Sequence, residues 1–228
     1  MYHEQPRFND RTDAGKRLTE KLENYQGTDA VVFAIPRGGV PVASAVAIRL
    51  GLKLDLVIPR KIPIPYNPEA GYGAVTEDGV IVLNEPLVAE LNLSKSQIQR
   101  QAEEVRAEIE RRSALFRSRL PRQDIQGKTA IIIDDGLASG FTMMAAVASI
   151  QRRKANRIVV AVPVASGNAY DLVKPAVSEI VALVVARLPE FAVAGFYREW
   201  HDLSDAETIR YIDEYLAKRG PVKSKSSG

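Results

Sequence analysis

The chain's 228 residues can bury a sizeable core as one large domain or one and a half, and its 46% hydrophobic and 26% charged residues describe an ordinary globular protein. Without cysteine it can form no disulfide, thiolate nucleophile or zinc–thiolate site, and no apolar run approaches the roughly 18 residues of a membrane-spanning helix. The net charge of +3 is spread along the chain, so a nucleic-acid partner is not expected; the charged N-terminus does not read as a secretory signal, so cytoplasmic residence is.

Residues 1–28 are expected to form an N-terminal helical segment, with Asp10 or Thr12 as cap and a helix running to Leu22. Residues 31–35 are a short apolar run that ends in Pro36, Arg37, Gly38 and Gly39, ahead of a helical stretch at 42–50. A strand, a Gly-Gly turn and a helix start make an anion cradle, to which Arg37 adds a planar cation. Residues 54–58 read as a second strand, closed by Pro59 and the basic pair Arg60 and Lys61. A solvated strand end would carry the same pair. Residues 62–79 hold Pro63, Pro65, Pro68, Gly71, Gly73 and Gly79 with no sustained period, and are read as a long flexible loop before a short strand at 80–83.

Residues 94–119 are predicted to be one amphipathic helix, because Ile98, Ala102, Val105, Ile109 and Phe116 recur at helical spacing. Its arginines and glutamates, including the four-apart pair Glu108 and Arg112, are assigned to a solvated face.

Residues 129–134 are the central strand, since Ala130, Ile131, Ile132 and Ile133 form the continuous run of a parallel strand covered on both faces. Asp134 and Asp135 stand where that strand ends, the place at which open α/β sheets bind ligands. Adjacent carboxylates can hold two vicinal sugar hydroxyls. The small-residue turn 136–142 then leads into a helix at 143–153, so the amides of Ala138, Ser139, Gly140, Phe141 and Thr142 can close on an anion, with the Ser139 and Thr142 hydroxyls as further donors. A buried strand followed by an acidic turn is the plainer reading of the same string. Strands at 157–164 and 179–186, with a helical segment at 168–174, complete an alternation that implies a largely parallel sheet.

The end of the chain breaks this rhythm. Residues 188–203, LPEFAVAGFYREWHDL, concentrate Phe191, Phe196, Tyr197 and Trp200, whose rings can either stack on a planar ligand or form the core of a small cap. His201, one of two histidines, is read as structural. A short helix is expected from 206 to 217, and a disordered tail over 218–228.

The string IIIDDGLASGFT resembles the phosphoribosylpyrophosphate (PRPP) signature of type I phosphoribosyltransferases, with Ser139 where many members have Thr. The PRGG turn resembles the family's pyrophosphate loop, and the Arg60–Lys61 pair resembles its pyrophosphate-contacting lysine. Over residues 7–212 the arrangement is similar to an uncharacterised bacterial and archaeal group of the family. The resemblance implies an α/β, Rossmann-like parallel-sheet core over 29–187, in which the flexible loop 62–79 closes over the site and 94–119 is an insertion, with a small C-terminal hood over 188–217. It implies that Asp134, Asp135 and Lys61 are catalytic, that Asp134 and Asp135 hold Mg²⁺, and that residues 138–142 hold the 5′-phosphate. Arg37, Gly38, Gly39, Arg60 and Lys61 would hold pyrophosphate, and Phe191, Phe196 and Trp200 would hold the base. The implied reaction joins PRPP to a nitrogenous acceptor, in a homo-oligomer expected to be a dimer.

Two departures separate this chain from the hypoxanthine-guanine members. Ala138 stands where they carry an acid, and residues 161–166 lack their purine-reading lysine. A PRPP-sensing regulator that keeps the fold without activity is the alternative reading; its DNA-binding surface would be sought in residues 95–122.

Overall fold

The computed structural model describes residues 7–65 and 67–219. In chain order these form α1 (Arg11–Glu20), β1 (Val31–Ala34), α2 (Gly39–Leu50), β2 (Lys53–Leu56), β3 (Pro59–Ile64), β4 (Asn67–Thr76), β5 (Ile81–Leu83), α3 (Glu85–Glu90), α4 (Lys95–Arg117), β6 (Thr129–Ile133), α5 (Phe141–Arg152), β7 (Arg157–Ser166), α6 (Gly167–Val173), β8 (Glu179–Ala186) and α7 (Asp205–Arg219).

A five-stranded sheet of order β2-β1-β6-β7-β8, parallel throughout, is the expected α/β core. β6 lies at its centre, and Ile131, Ile132 and Ile133 alternate between the two hydrophobic layers that cover the sheet. Fully burying each of these side chains contributes about 1.5–3 kcal/mol, which sets where the strand must lie. Because the strands are parallel, the C-terminal ends of β1, β2, β6 and β7 lie at one edge. A separate cluster of Phe8, Ala14, Val164, Phe196 and Tyr197 seats the C-terminal hood against the N-terminal segment.

The segment expected as a flexible loop is largely a second sheet. β3, β4 and β5 pair antiparallel in that order, with register shifts around Pro63. Proline is tolerated at the start and at a bulge of an edge strand, and β3 is such a strand. Gly71 and Gly73, two of the glycines that suggest a loop, serve close packing, since a Cβ on Gly73 would stand 2.5 Å from the Val82 carbonyl oxygen and one on Gly71 3.1 Å from the Ile62 carbonyl oxygen. Tyr72 between them is fully buried, and its hydroxyl donates to Gln101 Oε1 of α4 at 2.8 Å.

The helix expected over 94–119 agrees with its period: Ile98, Ala102, Val105, Ile109 and Phe116 of α4 are buried, and Ser94 caps it in a box with Gln97. α1 starts behind Asp10, whose side chain accepts from Asp13 N at 2.7 Å. The last helix is longer than expected and takes in Lys218 and Arg219. Its start is a second capping box, in which Ser204 Oγ accepts from Glu207 N and Glu207 Oε2 accepts from Ser204 N. The rest of the expected tail lies outside the described residues, as do residues 1–6. Among the described residues no helix is long and apolar enough to cross a membrane.

Candidate active site

Asp134 and Asp135 follow the last residue of β6, at the sheet edge where the strands end. Asp134 turns back on its own chain, its Oδ1 accepting from Asp135 N at 2.9 Å. Asp135 Oδ2 meets Arg11 Nε of α1 at 2.8 Å. Burial raises the pKa of Asp134 well above the ordinary carboxylate range, and the charge of Asp135 adds to it. Burial raises Asp135 as well, opposed by the charge and hydrogen bond of Arg11. The two carboxyls titrate as a pair, poised to gain from any cation or donor that enters.

The turn at 36–39 packs directly on this pair. The peptide between Pro36 and Arg37 is cis. A Cβ on Gly39 would stand 2.7 Å from the Ile133 carbonyl oxygen and 2.9 Å from Asp134 Cα, so only glycine fits there. Two predicted loops, about 100 residues apart in sequence, are thereby a single surface.

The loop after β6 is fixed along β7, with Leu137 N donating to Val164 O and Ser166 N donating to Leu137 O, both at 2.8 Å. Ser166 Oγ donates to the Ala138 carbonyl at 2.7 Å. Gly140 then takes φ +86, a left-handed conformation that favours glycine, and starts α5.

The helix starts divide into two kinds. α1, α3, α4, α6 and α7 are capped by side chains of Asp10, Asn84, Ser94, Ser166 and Ser204. The starts of α2, behind Gly38, and α5, behind Gly140, carry no side-chain cap. These are the two loops read as anion cradles. First-turn amides have no partner within a helix, and at α5 they are left to an outside acceptor, whereas at α2 Gly39 N and Val40 N already donate to the Ile35 and Arg37 carbonyls at 3.0 and 3.1 Å.

Arg37, Arg60 and Arg112 gather beside the 36–39 turn in a way the sequence conceals. Arg60 and Lys61 lie within β3 rather than at the end of β2, because β2 stops at Leu56. Arg60 Nη2 pairs with Glu108 Oε2 at 2.9 Å, so Glu108 turns to the hairpin instead of to Arg112 on its own helix. Arg112 and Arg37 instead approach the same oxygen, Asp205 Oδ1, at 3.9 and 3.8 Å. Two arginines of α4 are thus drawn inward, Arg112 toward Asp205 and Arg117 to Asp55 and Glu77, and Arg122, beyond the helix, pairs with Glu77, while Arg100 and Arg111 are exposed.

Residues 4–190 match the family model described as the phosphoribosyl transferase domain. The chain belongs to that family. A Mycobacterium tuberculosis H37Rv protein named “Putative phosphoribosyl transferase Rv0571c” is 36% identical over 206 residues, which is 90% of this chain and 46% of that one, and a CDC 1551 counterpart matches equally. The chain therefore spans about half the length of these curated relatives. The crystal structure of TT1426 from Thermus thermophilus superposes with a TM-score of 0.76 at 36% identity, covering 92% of this chain and 99% of that one.

In this phosphoribosyl transferase domain the hood is clamped onto the acidic pair. Tyr197 donates its hydroxyl to the Asp135 carbonyl at 2.6 Å, and a Cβ on Gly136 would stand 2.6 Å from Val193 Cγ2. Arg11 links the two regions: it pairs with Asp135, donates to the His201 carbonyl at 3.0 Å, and lies 3.8 Å over the Trp200 ring. Nothing local in the N-terminal segment marks Arg11, since its partners lie 124 and 190 residues away. His201, read as structural, meets Glu207 Oε1 at 2.9 Å.

Two of the three expected base-binding rings are engaged elsewhere. Phe196 is 5% exposed and packs against Phe191 at 5.6 Å between centroids, so it belongs to the hood's own core. Trp200 carries Arg11 on its face and supports Asp135 through it. Phe191 alone of the three lines the cavity of about 660 Å³ that opens from Ala138 and Ser139 past Asn168 and Arg187. A second cavity of about 480 Å³, between α1, α2 and α7, lies away from the acidic pair.

Proposed function

We propose that this chain is a phosphoribosyltransferase that displaces pyrophosphate from C1 of PRPP with a nitrogen nucleophile. The observation that carries the reading is the coincidence of the Asp134–Asp135 pair with the two uncapped helix starts at Gly38 and Gly140, three features of the strand-end surface. One phosphorylated pentose bearing a diphosphate presents the complementary groups: two vicinal hydroxyls between two anions.

In this reading Asp134 and Asp135 receive the ribose hydroxyls. The amides of residues 138–142, with the Ser139 and Thr142 hydroxyls, bind the 5′-phosphate. Arg37, Gly38, Gly39, Arg60 and Lys61 receive the diphosphate. The C1–oxygen bond breaks with its electron pair leaving on the diphosphate, the nitrogen lone pair forms the new bond to C1, and the nitrogen's proton passes to solvent. Positive charge on the ring and negative charge on the leaving group are what these residues stabilise, so catalysis is positional and electrostatic.

The donor set suits Mg²⁺, a hard cation that binds through one or two carboxylates plus substrate phosphates. Asp134 and Asp135 are hard donors, and among the described residues no group of three or more His, Asp or Glu stands ready to hold an ion alone. When bound, Mg²⁺ would neutralise charge on the departing diphosphate. The chain's own contribution is to hold Asp135 in place through Arg11 and Tyr197.

The acceptor would enter the cavity walled by Ser139, Asn168, Arg187 and Phe191, where Phe191 offers a ring to stack on. Ala138 and the lysine-free segment 161–166 argue against a 6-oxopurine there. The reading includes a cytoplasmic location and a homodimer, the second of which light scattering tests. Incubation with PRPP, Mg²⁺ and a panel of nucleobases and amines, followed by measurement of pyrophosphate release, is the direct assay. Absence of PRPP binding, or an Asp135→Asn variant that binds PRPP as tightly as the wild type, overturns the assignment.

A further inference from the structure

Three guanidinium groups from three separate elements converge beside the 36–39 turn: Arg37 of the turn, Arg60 of β3 and Arg112 of α4. Their carboxylate partners are too few. Glu108 takes Arg60 at 2.9 Å, which leaves Asp205 Oδ1 between Arg37 and Arg112 at 3.8 and 3.9 Å, beyond hydrogen-bond reach. Both Asp205 Oδ1 and Arg112 Nε are buried atoms without a hydrogen-bond partner. Three cations against two carboxylates leave an excess of one positive charge. The side chains of Arg37, Arg60 and Arg112 remain 32%, 34% and 24% exposed, so an anion arriving from solvent can reach all three.

Burial first, and then the charges of Arg60 and Arg37, pull the Arg112 guanidinium down from its ordinary value, against the pull of Asp205 and Glu108. A guanidinium stays protonated in a protein, so what this registers is first the burial of that charge and second its repulsion by Arg60 and Arg37. A polyanion between the three groups relieves that repulsion and supplies the hydrogen bonds that Asp205 is too far to give. Arginine's planar fork suits phosphate oxygens in pairs.

We infer that Arg112, supplied by the inserted helix α4, is a direct diphosphate-binding residue that completes the anion site begun by Arg37 and Arg60. The inference rests on the transferase reading and extends it to a residue that the local pattern places on a solvated face. It also gives the insertion a purpose. α4 is anchored through Ile109 and Phe116, which flank Arg112 and fix it over the turn.

The test is calorimetric titration of the full chain with inorganic pyrophosphate and, separately, with ribose 5-phosphate, both in Mg²⁺. Arg112→Gln is expected to weaken pyrophosphate binding about tenfold, equivalent to 1.4 kcal/mol, and to leave ribose 5-phosphate unchanged, with Arg112→Lys in between. Unchanged pyrophosphate affinity in Arg112→Gln overturns the inference and leaves the transferase reading standing. Equal weakening of both ligands also overturns it, because that is the signature of a structural role. A wild-type chain that binds neither ligand overturns both. Should Arg112→Gln fail to fold, Glu108→Gln serves in its place: freeing Arg60 is expected to tighten pyrophosphate roughly two- to threefold, and an unchanged or weaker affinity counts against the cluster.

Discussion

Gly38 lies so close to the Asp135 carboxylate that a Cβ on it would overlap Oδ2 and stand 2.5 Å from Cγ. Its φ is −60, a conformation open to every residue, so the glycine is required by proximity and not by backbone freedom. A free carboxylate could step aside, but Asp135 is held by Arg11 at 2.8 Å. Gly38→Ala must therefore break that ion pair or lift the 36–39 turn. The expected cost is about 1–3 kcal/mol in stability and about a hundredfold in kcat/KM, the usual consequence of displacing a reacting group by about 1 Å. Thermal melts and pyrophosphate release measure the two; an alanine variant with wild-type turnover refutes the contact.

Arg11 should control the acid limb of the pH profile. Its charge and hydrogen bond oppose the burial that raises the Asp135 pKa, so without them the carboxyl takes up its proton at a higher pH. Ligand binding needs the ionised pair, hence Arg11→Gln is expected to move the acid limb of kcat/KM upward. It should also destabilise the fold by about 3 kcal/mol, because a buried carboxylate loses its partner. A profile that keeps its acid limb while activity falls uniformly would assign Arg11 to packing alone.

Asp134 predicts a gain in stability at the expense of function. Its folded-state pKa lies well above the ordinary carboxylate value, so between those two pH values the folded chain binds more protons than the unfolded chain. Stability therefore falls as pH rises through that window, the reverse of a salt-bridged carboxylate. Asp134→Asn keeps an Oδ1 that can accept from Asp135 N and removes the charge. At pH 7 it is expected to be more stable than the wild type by about 1 kcal/mol, or roughly 2–4 °C in Tm, while losing PRPP binding. A lower Tm for this variant contradicts the burial argument.

These residues also mark what was legible in the chain beforehand. The β6 strand, the acidic pair and the turn to Thr142 are local chemistry, since a continuous apolar run, adjacent carboxylates and small residues state their roles within 13 residues. The β3–β5 sheet is not, because proline at an edge bulge and glycine beneath a neighbouring strand look the same in sequence as a loop. Arg11 and Arg112 were missed for a related reason. An arginine on a mixed-charge helix reads as solvated until its carboxylate partner arrives from a distant segment. The same long-range pairing places Arg11 over Trp200, a contact that no local pattern marks.

Arg117 provides the control for Arg112, five residues away on α4. It pairs with the fully buried Asp55 of β2, donates to the Leu56 carbonyl at 2.7 Å, and reaches Glu77 beyond the end of β4 at 3.1 Å. Asp55 is further held by Arg153 at 3.1 Å and by the Gln123 amide at 3.0 Å, so this carboxylate joins the central sheet to both neighbouring helices. None of these groups touches the 36–39 turn or the acidic pair. Arg117→Gln should thus destabilise the chain by about 3 kcal/mol, leaving part of a buried charge uncompensated, and leave pyrophosphate affinity unchanged at a temperature where the variant is folded. Arg112→Gln should show the opposite pattern. If both arginines lowered stability and affinity in the same proportion, α4 would act on the anion site only by supporting the fold, and the separate roles drawn from its two arginines would be lost.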